Sequence, residues 1–230
     1  MTQRSKIITI YAVVGLICAL IIGLAFLLAG LKQKQQDGGA IATDIGKEEV
    51  PVLKTLEGDL ELVKQDGETV RVSDLKDKVW VAAQFYATCP MCAARNGEQL
   101  VNIYRKYEQH EDFRVVCFSI DPEHDTLEHL KALEENLDVD GDKWWFVKGD
   151  PEAMKTFMIE QMGYPEIRER TDQAEIDIKG RWAHDLGIEV FDGMDLLIKA
   201  NLDKNPYNDP EAQRALLDVA IERALQAQGT

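Results

Sequence analysis

Two cysteines, Cys89 and Cys92, stand three positions apart with Pro90 and Met91 between them. A dithiol at this spacing can close reversibly into a disulfide, and as thiolates it can hold a soft metal ion. The run from Val79 to Tyr86 just upstream is almost continuously apolar, as a strand covered on both faces should be. Downstream, Leu100, Ile103, Tyr104 and Tyr107 follow the i, i+3, i+4, i+7 spacing of a helix face. With Cys89 as N-cap, Pro90 falls at N1 and Cys92 in the first turn. Unpaired backbone N–H groups and the positive helix end there favour thiolate over thiol. Strand, C-x-x-C and helix together form the pattern of a thioredoxin-like redox or metal site. A structural zinc site would need a second ligand pair, and the sequence offers none. Cys117 lies inside another apolar run and reads as core.

The elements that must position this pair alternate between strand and helix, which predicts an α/β domain with a central sheet flanked by helices. Arg114–Ile120 and Trp144–Val147 read as further strands. Asp66-Gly67 and Asp192-Gly193 each sit between apolar runs, Leu62-Val63 with Val70-Val72 and Gly187–Val190 with Leu196–Ala200. Both read as hairpins, because glycine tolerates positive φ at the turn. Asp125 with Glu128 resembles a capping box before Leu130, Leu133 and Leu137. Asp150-Pro151 and Asp209-Pro210 combine an N-cap with proline at N1. The first precedes Met154, Phe157 and Met158; the second precedes Leu217, Ala220, Ile221, Ala224 and Leu225.

Two strings and one isolated residue are similar to the Sco/SenC copper-protein family. The strings are Phe118-Ser119-Ile120-Asp121-Pro122-Glu123-His124-Asp125-Thr126 and Trp144-Trp145-Phe146-Val147-Lys148-Gly149-Asp150. The residue is His184, eight positions before Asp192-Gly193. The resemblance covers roughly Gly58 to Leu202. It implies a membrane-anchored, thioredoxin-like protein that binds copper through Cys89, Cys92 and His184, with Asp121 behind the ligands. It also implies a role at the copper site of cytochrome c oxidase, with that enzyme's copper-site subunit or other respiratory-chain assembly factors as partners. The family usually spaces its cysteines C-x-x-x-C, whereas this chain has C-x-x-C followed by Ala93. The shorter loop resembles that of thiol–disulfide oxidoreductases, so an alternative is dithiol exchange through Cys89 and Cys92 as a redox-active pair. Such oxidoreductases generally carry a cis-proline before the hairpin strand. This chain has no proline between Pro165 and Pro206, and His184 stands near that place.

Of the other candidates, His110 and His129 read as solvated helix residues and Met91 as an exposed loop residue. His124 is a weaker candidate for a secondary ligand or proton relay. Asn136, Asp138, Asp140 and Gly141 imitate the start of a calcium loop, but its twelfth position would be Val147 rather than glutamate.

The 230 residues include 26 Lys+Arg and 41 Asp+Glu, for a formal charge of −15. Arg4, Lys6, Lys32 and Lys34 fall in residues 1–34 without any acid, so the remainder carries −19. This balance argues against nucleic-acid binding. Ile7–Leu31 is free of charge and nearly all apolar, long enough for the roughly 30 Å hydrocarbon core. No A-x-A cleavage pattern follows it. The chain therefore divides into a tail (1–6), a transmembrane helix (7–31), a flexible tether (32–52) and the thioredoxin-like domain (53–230). A single-pass anchor in a bacterial inner membrane, with the domain on the extracytoplasmic side, fits this layout.

Overall fold

The computed structural model describes residues 50–89, 96–202 and 207–228, all within one compact unit, Glu49–Thr230. The apolar run 7–31, most of the tether, and Cys92 with its neighbours lie outside the described residues. Among the described residues no helix is long and apolar enough to cross a membrane.

Ten strands are described: β1 (Lys54–Thr55), β2 (Glu61–Lys64), β3 (Thr69–Arg71), β4 (Val79–Phe85), β5 (Phe113–Ser119), β6 (Trp144–Lys148), β7 (Arg168–Glu169), β8 (Trp182–Ala183), β9 (Gly187–Asp192) and β10 (Asp195–Asn201). Five helices accompany them: α1 (Glu98–Tyr107), α2 (Leu127–Leu137), α3 (Pro151–Glu160), α4 (Gln173–Lys179) and α5 (Pro210–Gln228). Eight strands form one sheet in the order β1-β10-β9-β4-β5-β6-β2-β3. Pairing is parallel within β4-β5-β6 and antiparallel elsewhere. β7 and β8 form a separate two-stranded ribbon.

Strand β4 is buried at all seven positions because both sheet faces are covered. Val79, Val81, Ala83 and Phe85 pack with Leu100, Ile103, Tyr104 and Tyr107 of α1, Leu130 of α2 and the buried stripe of α5. Trp80 and Ala82 face the other way, with Leu62, Val70, Phe191 and Met154, Phe157 and Met158 of α3. The four-residue stripe expected after the cysteines is thus the buried face of α1.

Both hairpins form at the glycines that mark them, Gly67 at φ 88° and Gly193 at φ 57°. Asp150 caps α3 by accepting from Ala153 N, with Pro151 in the first turn. Asp209 accepts from Glu211 N and Ala212 N at the start of α5. The cap of α2 differs from expectation. Thr126, not Asp125, accepts from His129 N, because the Asp125 carboxylate is turned into the protein. The ribbon β7-β8 and α4 had no apolar periodicity to announce them, and α4 buries no residue. Capping by Asp172, which accepts from Glu175 N, and a Lys179–Glu175 ion pair support it instead. Around Asp138 the chain makes a left-handed turn at φ 52°, and Asp140 accepts from Asp142 N. This is an acidic turn.

Gly193 carries the tip of the β9-β10 hairpin. Its carbonyl accepts from Trp80 Nε1 at 2.7 Å and its N–H donates to Lys78 O at 2.8 Å. A Cβ there would sit 2.4 Å from Lys76 O. Left-handed φ and this clash together predict that Gly193→Ala lowers unfolding free energy by about 2–4 kcal/mol. Urea denaturation checks this, and an unchanged midpoint would refute the close-approach account.

Candidate metal centre

The cysteine loop begins where β4 ends. Cys89 N donates to Tyr86 O at 3.1 Å, closing a turn that leaves Cys89 buried. Cys89 is disulfide-bonded, to a partner outside the described residues. Its place as an N-cap, with Pro90 at N1 and Cys92 in the first turn, also lies outside them. Asp125 secures the loop from the side. One carboxylate oxygen accepts from Ala87 N at 2.9 Å and the other from Ser119 Oγ at 2.5 Å. Burial, the largest influence, pushes the Asp125 carboxyl up, while these donors pull it down. Sequence reasoning used Asp125 as a cap. An acid six residues past the end of β5, in the connection to α2, was the only signal for its actual task.

His184 arrives from the far end of the fold. It follows β8 and precedes β9, and β9 runs antiparallel to β4. Its ring meets Tyr86 edge to face, with centroids 5.9 Å apart. The next residue is held three ways: Asp185 N donates to Gln84 Oε1 at 3.1 Å, Asp185 Oδ1 accepts from Gly187 N at 2.7 Å, and Asp185 Oδ2 pairs with Lys199 Nζ at 2.8 Å. Asn96, just after the cysteine loop, donates to Leu186 O at 3.3 Å. The segment preceding β9 is therefore tied to both flanks of the cysteine loop.

The imidazole has a defined state. His184 Nδ1 lies 2.7 Å from Asp185 O. A carbonyl only accepts, so Nδ1 carries the proton and Nε2 keeps its lone pair in the neutral ring. Burial pushes the His184 pKa down, the Asp185 hydrogen bond opposing it in part. An imidazole anchored through Nδ1, with the lone pair on Nε2, is the tautomer in which metal-ligating histidines are commonly held.

Asp121 does not touch His184 directly in any described hydrogen bond. Its carboxylate accepts from Trp182 Nε1 at 2.9 Å and pairs with His124 Nδ1 at 2.7 Å. Trp182 N in turn lies 3.4 Å from Tyr86 OH. Asp121 thus reaches the site through Trp182 and Tyr86. His124 is exposed, as are His110 and His129. Cys117 is a free, buried thiol whose pKa burial raises to about 12, so it stays protonated and belongs to the core. It shares with Cys89, Phe85, Leu100, Trp144 and Phe146 the wall of an apolar cavity of about 60 Å³. Among the described residues no three His, Cys, Asp or Glu side chains cluster as a metal site, and Cys92 is not among those residues.

A profile of the SCO1/SenC family matches residues 49–182, more than half of the chain. The chain belongs to the SCO1/SenC family. The match stops two residues short of His184. A curated relative, the SCO1 protein homolog of Bacillus subtilis (strain 168), is 30% identical over 86 residues, 37% of this chain and 45% of that protein. The chain therefore spans under half the length of the curated relative it matches. Among solved structures, BsSco is described with a disulfide switch, as a member of the Sco family of cytochrome c oxidase assembly proteins. It aligns with a TM-score of 0.59 at 20% identity, covering 77% of this chain and 98% of its own. Bradyrhizobium japonicum ScoI with copper bound aligns with a TM-score of 0.52 at 20% identity, over 71% and 99% of the two chains. These likenesses show the fold: the mixed sheet with flanking helices is the thioredoxin-like architecture of Sco proteins.

Near the His184 segment, an acid lies within the apolar run that forms β9. Glu189 is fully buried, and burial raises its pKa from the ordinary 4.5 to about 7, with Lys199 opposing. Below about pH 4.5 the carboxyl is neutral in both folded and unfolded chains, and its contribution to stability is fully present. That contribution is lost as pH rises through about 7, because the unfolded chain gives up the proton first. His184, with its lowered pKa, contributes oppositely: its share is present above pH 6.5 and lost as pH falls. Comparing the wild type with Glu189→Gln isolates the glutamate. We expect the variant to gain about 2–3 kcal/mol relative to wild type between pH 4.5 and 8, read by urea denaturation. A difference that stays constant with pH would refute the raised pKa.

Proposed function

We propose that this protein is a membrane-anchored copper carrier. In this reading it takes one copper ion on Cys89, Cys92 and His184 and serves assembly of the copper site of cytochrome c oxidase. The observation that carries the reading is the state of His184: a half-buried imidazole, its pKa lowered, whose Nδ1 is committed to Asp185 O, packed against the tyrosine that opens the cysteine loop. Two sulfurs and one imidazole form a soft donor set suited to Cu(I) and able to hold Cu(II). Copper is cargo here, so a site of few ligands serves release as well as capture. One structural neighbour solved with copper bound, and another described as a member of a family of cytochrome c oxidase assembly proteins, support the assignment. The apolar run 7–31 would anchor the domain outside a bacterial inner membrane, with residues 32–52 as its tether, and the copper-site subunit of the oxidase as its partner.

The disulfide at Cys89 sets a condition. Thiolate ligands exist only after a two-electron reduction by an external dithiol, which supplies two electrons and two protons and is itself oxidised to a disulfide. The same observation favours a second reading, in which Cys89 and Cys92 reduce a partner's cysteines.

For the first reading, the anaerobically reduced protein should retain about one copper against a chelator. Cys89→Ala or Cys92→Ala should abolish retention, and His184→Ala should weaken it at least about tenfold, some 1.4 kcal/mol. Loss of all copper from reduced wild type would overturn the assignment. For the second, Cys92→Ser should trap a mixed disulfide with a partner through Cys89. A cell extract that yields no such adduct would count against exchange.

A further inference from the structure

We propose that Lys199 is the positioning residue of His184, holding Asp185 so that the imidazole keeps a single tautomer with Nε2 as its lone-pair nitrogen. The claim rests on the copper-carrier reading for its purpose, although its structural content concerns the apo protein.

Lys199 lies on β10 directly opposite Glu189 on β9. Its ammonium sits 2.8 Å from Asp185 Oδ2, 3.1 Å from Glu189 Oε1 and 4.0 Å from the centroid of the Tyr164 ring. Two carboxylates and an aromatic face thus surround one cation. Among the described residues Lys199 and Tyr164 face the Glu189 carboxylate, and neither meets it with full hydrogen-bond geometry. The ammonium is therefore the group that answers the buried glutamate, since an isolated carboxylate there would be costly to ionise.

The geometry shows that this cation also grips the His184 segment. To reach Asp185, the lysine stem passes over Gly187. A Cβ at that position would come within 2.8 Å of Lys199 Cε and 3.0 Å of Asp185 Oδ1. Glycine leaves the space the stem occupies. Asp185 is the hinge of the arrangement: its carboxylate takes Lys199, its N–H takes Gln84, and its carbonyl takes His184 Nδ1. Fixing the side chain of Asp185 fixes the orientation of the carbonyl that selects the tautomer. A ligating histidine is commonly oriented by a carbonyl or carboxylate on its other nitrogen. Here that orientation is itself braced by a lysine from the next strand.

A plain alternative is that Lys199 only neutralises Glu189. The two are separated with Lys199→Met and the double variant Lys199→Met/Glu189→Gln. The double variant removes the buried charge without restoring the tie to Asp185, and it remains informative if the single variant fails to fold. The full chain, labelled with 15N-histidine, reduced and copper-free in detergent at pH 8, has only four histidines to resolve. Imidazole 15N spectra of the wild type should show His184 as one tautomer protonated at Nδ1. Both variants should show averaged tautomers, with Nε2–H appreciably populated, and copper affinity should fall about 10- to 100-fold, the range seen when a ligand's outer support is lost. Retention of one tautomer by Lys199→Met, or its restoration in the double variant, would overturn the proposal. Should wild type hold no copper while the tautomers behave as expected, the carrier reading fails and the positioning role stands.

Discussion

The antiparallel register of β9 on β4 is the constraint on which the site depends. Val79 to Ala83 face Asp192 to Ile188 in unbroken order, so the residues just before β9 come level with those just after β4. That alone carries position 184 to Tyr86, nearly a hundred residues earlier in the chain. A slip of one residue would turn every side chain to the opposite face. Two contacts oppose such a slip. Trp80 stacks on Phe191 at 4.1 Å with planes 9° apart, and its indole N–H is taken by Gly193 O. The hairpin glycine thus sets the register that the histidine needs at the other end of the strand.

A correct register brings two loops together but does not hold them. Holding is done by buried polar side chains that reach from the sheet into neighbouring segments. Gln84 takes Asp185 N, Asp125 takes Ala87 N, and Gln65 bridges Trp144 O and Phe146 N. Each costs desolvation that only a complete set of partners offsets. Where the set is incomplete, at Glu189, the carboxyl is pushed toward its neutral form. Concentration of such groups at the ends of β4, β5 and β9 marks where the molecule exchanges stability for a defined geometry.

Legibility followed the range of the interactions. Strands β4, β5 and β6, the α1 stripe, both Asp-Gly hairpins and the Asp-Pro helix starts could be read because their causes lie within a few residues of each other. Asp125 misled because a local capping pattern matched it, while its partners Ala87 and Ser119 became visible only in three dimensions. Helix α4 was silent because it has no buried face. Glu189 hid in an apolar run, and nothing nearby in sequence shows that Lys199 would stand across from it. The Cys89–His184 relation was read through family resemblance. Spacing by itself carries no record of which strand a later segment will join.

His184 follows the stretch that matches the family rather than lying inside it. The family profile ends at Trp182, so membership in SCO1/SenC does not by itself supply this histidine with a role. What supplies one is chemistry on this chain. Partial burial lowers the pKa of the ring and so favours its neutral form, one nitrogen is committed to a carbonyl, and the ring edge meets the tyrosine where the cysteine loop begins. Here the bracing runs outward through Asp185 to Gln84 on one strand and Lys199 on another. Such bracing fixes the direction of the ring and of its Nε2 lone pair. In the copper-carrier reading, a fixed lone-pair direction is what a ligand to a soft cation requires.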